Sequence, residues 1–305
     1  MKNIQADIKS GNFKQVYLLY GEEAYLKQQY KQNLVKALNP DGDTMNFNHY
    51  EGKGIDVKQL IDLCETMPFF AERRVVLLED TGFFKNKCEE LADYMKELPD
   101  YLYLVFAETE VDKRNRMYKA VKACGSIAEF IRQDEKTLMR WAAGILGKAG
   151  KKITQRDMEL LLTKTGTDMG NLRMEMEKLI SYTEGRDVVT AEDIEEICTT
   201  QTTNRIFDMV RAVTEKNQKR ALELYYDLLT LKEPPMRILF LLAKQYRQLL
   251  LAKQFAAAGL AQTEIASKLG VPGFVVRNIT TCARAYTISE LEQAVKDFVD
   301  AEESV

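Results

Sequence analysis

The feature that most constrains this chain is a change of hydrophobic period about 130 residues from its start. Up to Arg132, short apolar runs alternate with helically spaced segments. Gln15 to Tyr20 is a mostly apolar run closed by Gly21, and Glu22 to Leu38 follows with Leu26, Tyr30, Leu34 and Leu38 at helical spacing. The alternation repeats through a strand at Thr44 to Tyr50, a helix capped by Asp56 and running to Thr66, and a buried strand at Arg74 to Leu78. A helix at Asn86 to Leu98, a strand at Tyr101 to Phe106, a helix at Asp112 to Cys124 and a strand at Ile127 to Ile131 complete it. Five strands separated by helices predict a mostly parallel, doubly wound sheet.

Beyond Arg132 the strand signal stops and helices are expected throughout. Leu138, Trp141, Ala142, Ile145 and Leu146 stripe one helix, Thr154 opens a second, and Asn171 to Tyr182 and Ala191 to Cys198 complete a small bundle. From Asn204 the helices lengthen: Ile206, Val210 and Val213 share a face, Leu222, Leu224, Leu228 and Leu229 line the next, and Pro234-Pro235 starts a third. With 46% hydrophobic and 29% charged residues, the chain can build two or three cores, which excludes disordered and fibrous classes. The opening MKNIQADIKSGNF carries no signal-peptide pattern, and no run reaches the roughly 18 apolar residues of a membrane span, so a cytoplasmic protein is expected. The five cysteines are scattered with no C-x-x-C pair, which fits reduced core thiols better than a zinc or redox site. A net charge of −3 excludes nucleic-acid binding through the overall field and leaves room for a local basic surface.

The turn after the first strand of such a sheet is where backbone amides and a helix N-terminus converge on phosphate. Here it reads Gly21-Glu22-Glu23-Ala24-Tyr25-Leu26-Lys27, which does not complete G-x-x-x-x-G-K-[ST]. The reading takes both the second glycine and the lysine as missing, with two carboxylates placed where polyphosphate would lie and explained as complements to the helix N-terminus. Glu79-Asp80 is similar to a magnesium-holding pair, but without a phosphate cradle a strand-end turn is the expected role. The sole histidine, His49, sits in an alternating strand with no Ser or Cys partner in sight, so no catalytic residue is assigned.

The most informative stretch is Thr66-Met67-Pro68-Phe69-Phe70-Ala71-Glu72-Arg73-Arg74. Pro68 disfavours helix at Met67, so the chain leaves the preceding helix and carries three large apolar side chains on a connection. Such side chains either lid the core or face a partner.

These segments together resemble the delta subunits of bacterial DNA polymerase III clamp loaders. Tyr17 to Leu26 is similar to that family's degenerate nucleotide loop, and Met67 to Val76 to its clamp-binding segment. Gly166 to Leu172 with Glu175, Glu177, Lys178-Leu179 and Tyr182, then Ile206 to Val210, Pro234 to Leu239, Gln245 to Leu250 and Glu264 to Val271, follow in the family's order. The resemblance implies three domains: residues 1–134 as an AAA+-like parallel-sheet domain without a functional phosphate loop, 135–203 as a small helical lid, and 204–305 as a helical collar. It implies a subunit with no intrinsic catalysis and no cofactor. Its partners would be ATP-hydrolysing gamma/tau subunits, a delta prime subunit, the β sliding clamp and, within the assembled loader, primed DNA. Met67, Pro68, Phe69 and Phe70 match the clamp-binding wedge, with phenylalanine at a first wedge position where leucine is frequent.

Two further features lie in the last hundred residues. Arg237, Lys244 and Arg247 fall on one side of a helix with no acidic residue from Met236 to Lys253, a candidate contact for DNA or a neighbouring subunit. Thr263 to Ile279, broken at Gly270 to Gly273, has helix-turn-helix spacing, which makes a DNA-binding regulator the alternative. Against it, Pro272, Gly273 and Phe274 stand where base-reading side chains belong, leaving Arg277 and Asn278 as the possible readers.

Overall fold

The structure, a computed structural model, describes residues 2–199, 202–271 and 273–303, and the chain divides after Gln133 into two compact units. The first contains α1 (Lys2–Ser10), β1 (Val16–Tyr20), α2 (Ala24–Leu38), β2 (Phe47–Glu51), α3 (Val57–Glu65), β3 (Arg74–Glu79), α4 (Glu89–Tyr94), β4 (Leu102–Glu108), α5 (Arg116–Cys124) and β5 (Ser126–Glu129). The five strands form one sheet in the order β2-β3-β4-β1-β5, every neighbouring pair parallel. Parallel strands need crossover connections, which the helices supply, and those helices cover both faces.

Period two sorts the strand residues between those faces. Val16, Leu18, Val76, Leu78, Leu104 and Phe106 pack with Leu60 and Cys64 of α3, Leu91 and Ala92 of α4, and Met117 and Val121 of α5. Tyr17, Leu19, Val75, Leu77 and Val105 pack with Ile4 of α1 and Leu34 and Leu38 of α2. Central strand β1 is therefore apolar along its length and β3 from Val75 to Leu78, whereas edge strand β2, Phe47-Asn48-His49-Tyr50-Glu51, is half-exposed and mixed.

The second unit comprises α6 (Glu135–Lys148), β6 (Lys152–Ile153), α7 (Gln155–Thr165), α8 (Met169–Tyr182), β7 (Val188–Val189), α9 (Ala191–Ile197), α10 (Thr202–Thr214), α11 (Gln218–Thr230), α12 (Pro235–Ala257), α13 (Gln262–Leu269), α14 (Gly273–Ala283) and α15 (Ile288–Glu303). Side chains of Asp134, Thr154, Asp168, Thr190 and Asn217 cap helices here by accepting backbone N–H bonds, the expected work of such residues at an N-terminus. Two apolar clusters hold the later helices. Val210, Leu249, Ile265, Val276, Ile279 and Leu291 centre one, and Ile206, Leu224, Leu228 and Ile238 the other.

Three expectations need correction, and one helix was not anticipated. Strand structure does not stop at Arg132, because the two-residue strands β6 and β7 pair in parallel. The opening residues form α1, which buries Ile4. The helix expected from Asn86 to Leu98 is confined to α4, and the strand expected from Thr44 begins at Phe47 because the Asp43 side chain accepts the Met45 N–H at 2.8 Å.

Candidate functional site

The connection between α3 and β3 is built from its two ends. Asp56 caps α3 by accepting the N–H groups of Lys58 and Gln59, and Leu60 and Cys64 bury its inner face. The helix stops at Glu65, Thr66 is already extended, and β3 starts at the buried Arg74. Between them Met67, Phe69 and Phe70 are 75%, 57% and 94% exposed, and Pro68 is half-buried. The two phenyl rings meet edge to face with centroids 4.4 Å apart. These side chains face solvent, and the core beneath is closed without them.

The backbone under these rings is tied down by polar side chains. Asn46, 3% exposed, accepts the Phe69 N–H at 2.7 Å through Oδ1 and donates through Nδ2 to the Phe69 carbonyl at 2.8 Å and to Asp43 Oδ2 at 2.5 Å. Arg74 donates from Nε to the Thr66 carbonyl at 2.8 Å, from Nη2 to the Met67 carbonyl at 3.3 Å and from Nη1 to Asn48 Oδ1 at 3.2 Å. The Asp43 carboxyl is held below its ordinary range, first by the Asn46 amide. Arg73 lies over the Phe13 and Tyr103 rings, 5.2 and 5.4 Å from their centroids. Phe70 takes φ +50°, a left-handed conformation uncommon for a bulky residue and found mainly where surroundings enforce it. Sequence reasoning found the apolar side chains but missed Asn46 and the buried role of Arg74. The available signal was a polar residue directly before an edge strand.

The turn after β1 is closed by the chain itself. Gly21 has φ +124°, and a Cβ there would lie 2.3 Å from the Phe130 carbonyl oxygen, so only glycine fits. The same carbonyl accepts the Glu23 N–H at 3.0 Å, while the Phe130 N–H bonds to the Tyr20 carbonyl at 2.7 Å. Counting from Gly21 corrects one part of the motif reading: Lys27 does fall in the lysine register, and the departures are Leu26 for the second glycine and Gln28 for the hydroxyl residue. The Lys27 ammonium donates to the Glu108 carbonyl at 2.9 Å, and burial lowers its pKa. Both carboxylates lie at the start of α2, where Glu23 is the N-cap without a side-chain capping bond and Glu22 lies 3.4 Å from Arg132. Asp80, at φ +45°, accepts the Thr109 N–H at 2.8 Å in the turn after β3.

On α12, Arg237, Lys244 and Arg247 are all exposed, opposite the buried Ile238, Gln245, Tyr246 and Leu249. Arg237 pairs with Glu233 at 3.1 Å, an acid just outside the acid-free window, and Phe240 is 58% exposed on the same helix. The helix-turn-helix candidates are α13 and α14, with Gly270 left-handed between them. Pro272 and the side chain of Phe274 lie outside the described residues. Arg277 faces Glu159 of α7 at 3.6 Å, which occupies one of the two expected base readers.

The comparisons with known proteins agree with one another. Residues 17–130 match the family "DNA polymerase III, delta subunit", and residues 203–305 match "DNA polymerase III delta subunit, C-terminal domain". The chain is 26% identical over 307 aligned residues to DNA polymerase III subunit delta of Bacillus subtilis (strain 168), covering 96% of this chain and 88% of that one. It is 22% identical over 270 residues to the probable DNA polymerase III subunit delta of Aquifex aeolicus (strain VF5), covering 84% and 75%. Its fold is similar to the solved Bacillus subtilis DNA clamp loader delta protein, with a TM-score of 0.66, 23% identity and coverage of 99% and 93%. Two family segments in one order, relatives spanning most of the chain and a shared fold lead to one conclusion: this chain belongs to the DNA polymerase III delta-subunit family.

Proposed function

We propose that this chain is the ring-opening subunit of a clamp loader. It seats Met67, Pro68, Phe69 and Phe70 against the β sliding clamp and destabilises one clamp interface so that the ring passes primed DNA. ATP acts on gamma/tau partners, a delta prime subunit completes the assembly, residues 204–305 serve as its collar, and 135–203 form a small helical lid. The chain itself hydrolyses nothing: Leu26 replaces the glycine a phosphate cradle needs, and the Glu23 amide and Lys27 ammonium are engaged by protein carbonyls.

The observation that carries this reading is the exposure of Phe69 and Phe70, 57% and 94%, on a connection whose backbone is bonded in place. Two adjacent exposed aromatic rings are costly to leave in water and are typical of interface anchors. Burial of each in a partner pocket contributes about 1.5 to 3 kcal/mol. The test is Phe69→Ala with Phe70→Ala. Clamp capture should be lost while the thermal midpoint stays near wild type. A core role would instead cost about 3 to 5 kcal/mol of stability. A well-folded double variant that still captures the clamp normally would remove these residues from the wedge.

A further inference from the structure

Asn46 is an unusual residue to find buried beside this connection. It is distant in sequence, yet its amide grips one residue twice, accepting the Phe69 N–H at 2.7 Å and donating to the Phe69 carbonyl at 2.8 Å. A second donor bond, to Asp43 Oδ2, fixes which way the amide faces, and the Asn46 carbonyl accepts the Val75 N–H at 2.9 Å, which ties the residue's own backbone to β3. Both peptide groups of Phe69 are thereby held to the edge of the sheet rather than to the loop's own neighbours. Arg74 does the same for the start of the connection through the carbonyls of Thr66 and Met67. With its middle and its start fixed, the chain carries Phe70 in a left-handed conformation and leaves it 94% exposed.

We infer that Asn46 is a positioning residue for the wedge, holding Phe69 in its binding geometry before the clamp arrives. The inference rests on the wedge reading above and deepens it. A free eight-residue connection between Glu65 and Arg74 has many backbone states, and ordering it on binding subtracts from affinity; a connection already ordered loses little. The amide does not touch the clamp in this account. It acts through the Phe69 backbone, and its effect therefore exists only while Phe69 contributes to binding.

Three sets of variants of the full chain decide the matter, each measured for affinity to the cognate sliding clamp and for thermal midpoint. The first is Asn46→Ala, which removes every bond of the amide. The second exchanges two neighbours, Asp43→Asn with Asn46→Asp: an amide-carboxylate bond between the two positions is kept, as is the acceptor for the Phe69 N–H, while donation to the Phe69 carbonyl is lost. This exchange guards against an Asn46→Ala chain that fails to fold. The third places each change in a Phe69→Ala background. We expect about a tenfold loss of clamp affinity from either change in the chain with Phe69 and less than a twofold further loss in the Phe69→Ala background. An Asn46 that is merely structural gives the same factor in both backgrounds, and that result overturns the inference. So does clamp affinity within twofold of wild type for a folded exchange variant. If Phe69→Ala with Phe70→Ala leaves clamp binding intact, the wedge reading itself has failed, an outcome distinct from a failure of Asn46 alone.

Discussion

Lys31 Nζ lies 2.5 Å from Glu79 Oε2, joining the middle of α2 to the end of β3. The other oxygen of that carboxylate lies 2.9 Å from His49 Nε2, so a strand-end acid in the position that suggested a magnesium ligand is occupied by two side chains of the protein. Lys31 is only 8% exposed, and removing its partner leaves a nearly buried cation. Glu79→Leu should therefore cost about 1 to 3 kcal/mol in urea unfolding, and Lys31→Met in the same chain should recover part of the loss. In calorimetric titration with magnesium and ATP, the wild-type chain should give no saturable heat. A one-to-one binding isotherm would show that the register of Lys27 matters more than the altered loop around it.

Phe70 offers an unusual separation of stability from binding. A bulky residue at φ +50° is strained, and glycine adopts that conformation freely, although it also gains freedom in the unfolded chain. The two effects nearly offset, so Phe70→Gly should change unfolding free energy by less than about 1 kcal/mol. Clamp capture should fall sharply. A large fall in the thermal midpoint would show that the exposed ring supports the fold.

Glu108 is buried at the end of β4, where its Oε1 accepts both the hydroxyl and the N–H of Thr81. Burial is the main influence on its carboxyl and raises its pKa, opposed by those bonds and reinforced by the charge of Asp80. With the folded value above the unfolded one, the folded chain holds the proton more tightly. Stability from this group is thus present at low pH and is lost as pH rises from about 4.5 through the folded value. Glu108→Gln keeps the acceptor oxygen and removes the charge. Its advantage over wild type should be small near pH 4 and grow toward neutrality, read from midpoints across pH. An advantage independent of pH would assign the effect to packing.

The exposed cations of α12 predict a salt-dependent phenotype. Reversing Arg237, Lys244 and Arg247 together should leave the unfolding free energy within about 0.5 kcal/mol of wild type, since surface changes are usually small. Loader assembly or primer-template binding should weaken, most at low ionic strength. Arg237 carries less of this effect than its neighbours because Glu233 already neutralises it. Unchanged loading at every salt concentration would make the three a solvated face.

The parallel sheet was legible because its central strands are fully buried: Val75 to Leu78 and Val16 to Leu19 are unbroken apolar runs that match no amphipathic helix. The three apolar residues beside Pro68 were legible for a similar local reason. What the sequence concealed was held by long-range polar bonds. Nothing in the string around Asn46 announces a partner 23 positions away, and Arg74 reads as a loop charge until β3 draws it inside. The ends of α4 and β2 moved because side-chain bonds such as that of Asp43 compete with regular structure, and β6 and β7 are too short to have a period.

The 23-residue separation between Asn46 and Phe69 has a bearing on how a newly made chain becomes competent. Their bonds enclose β2 and α3, and the Asn46 carbonyl also accepts the Val75 N–H of β3, so loop closure must bring β2 beside β3 before the connection has its shape. Such long-range pairings are slow compared with helix formation. A half-folded chain would display Phe69 and Phe70 as loose, sticky side chains without the rigid presentation of the native state. On the proposed reading, maturation of this one crossover would act as a checkpoint on partner engagement, dividing indiscriminate hydrophobic adhesion from selective capture.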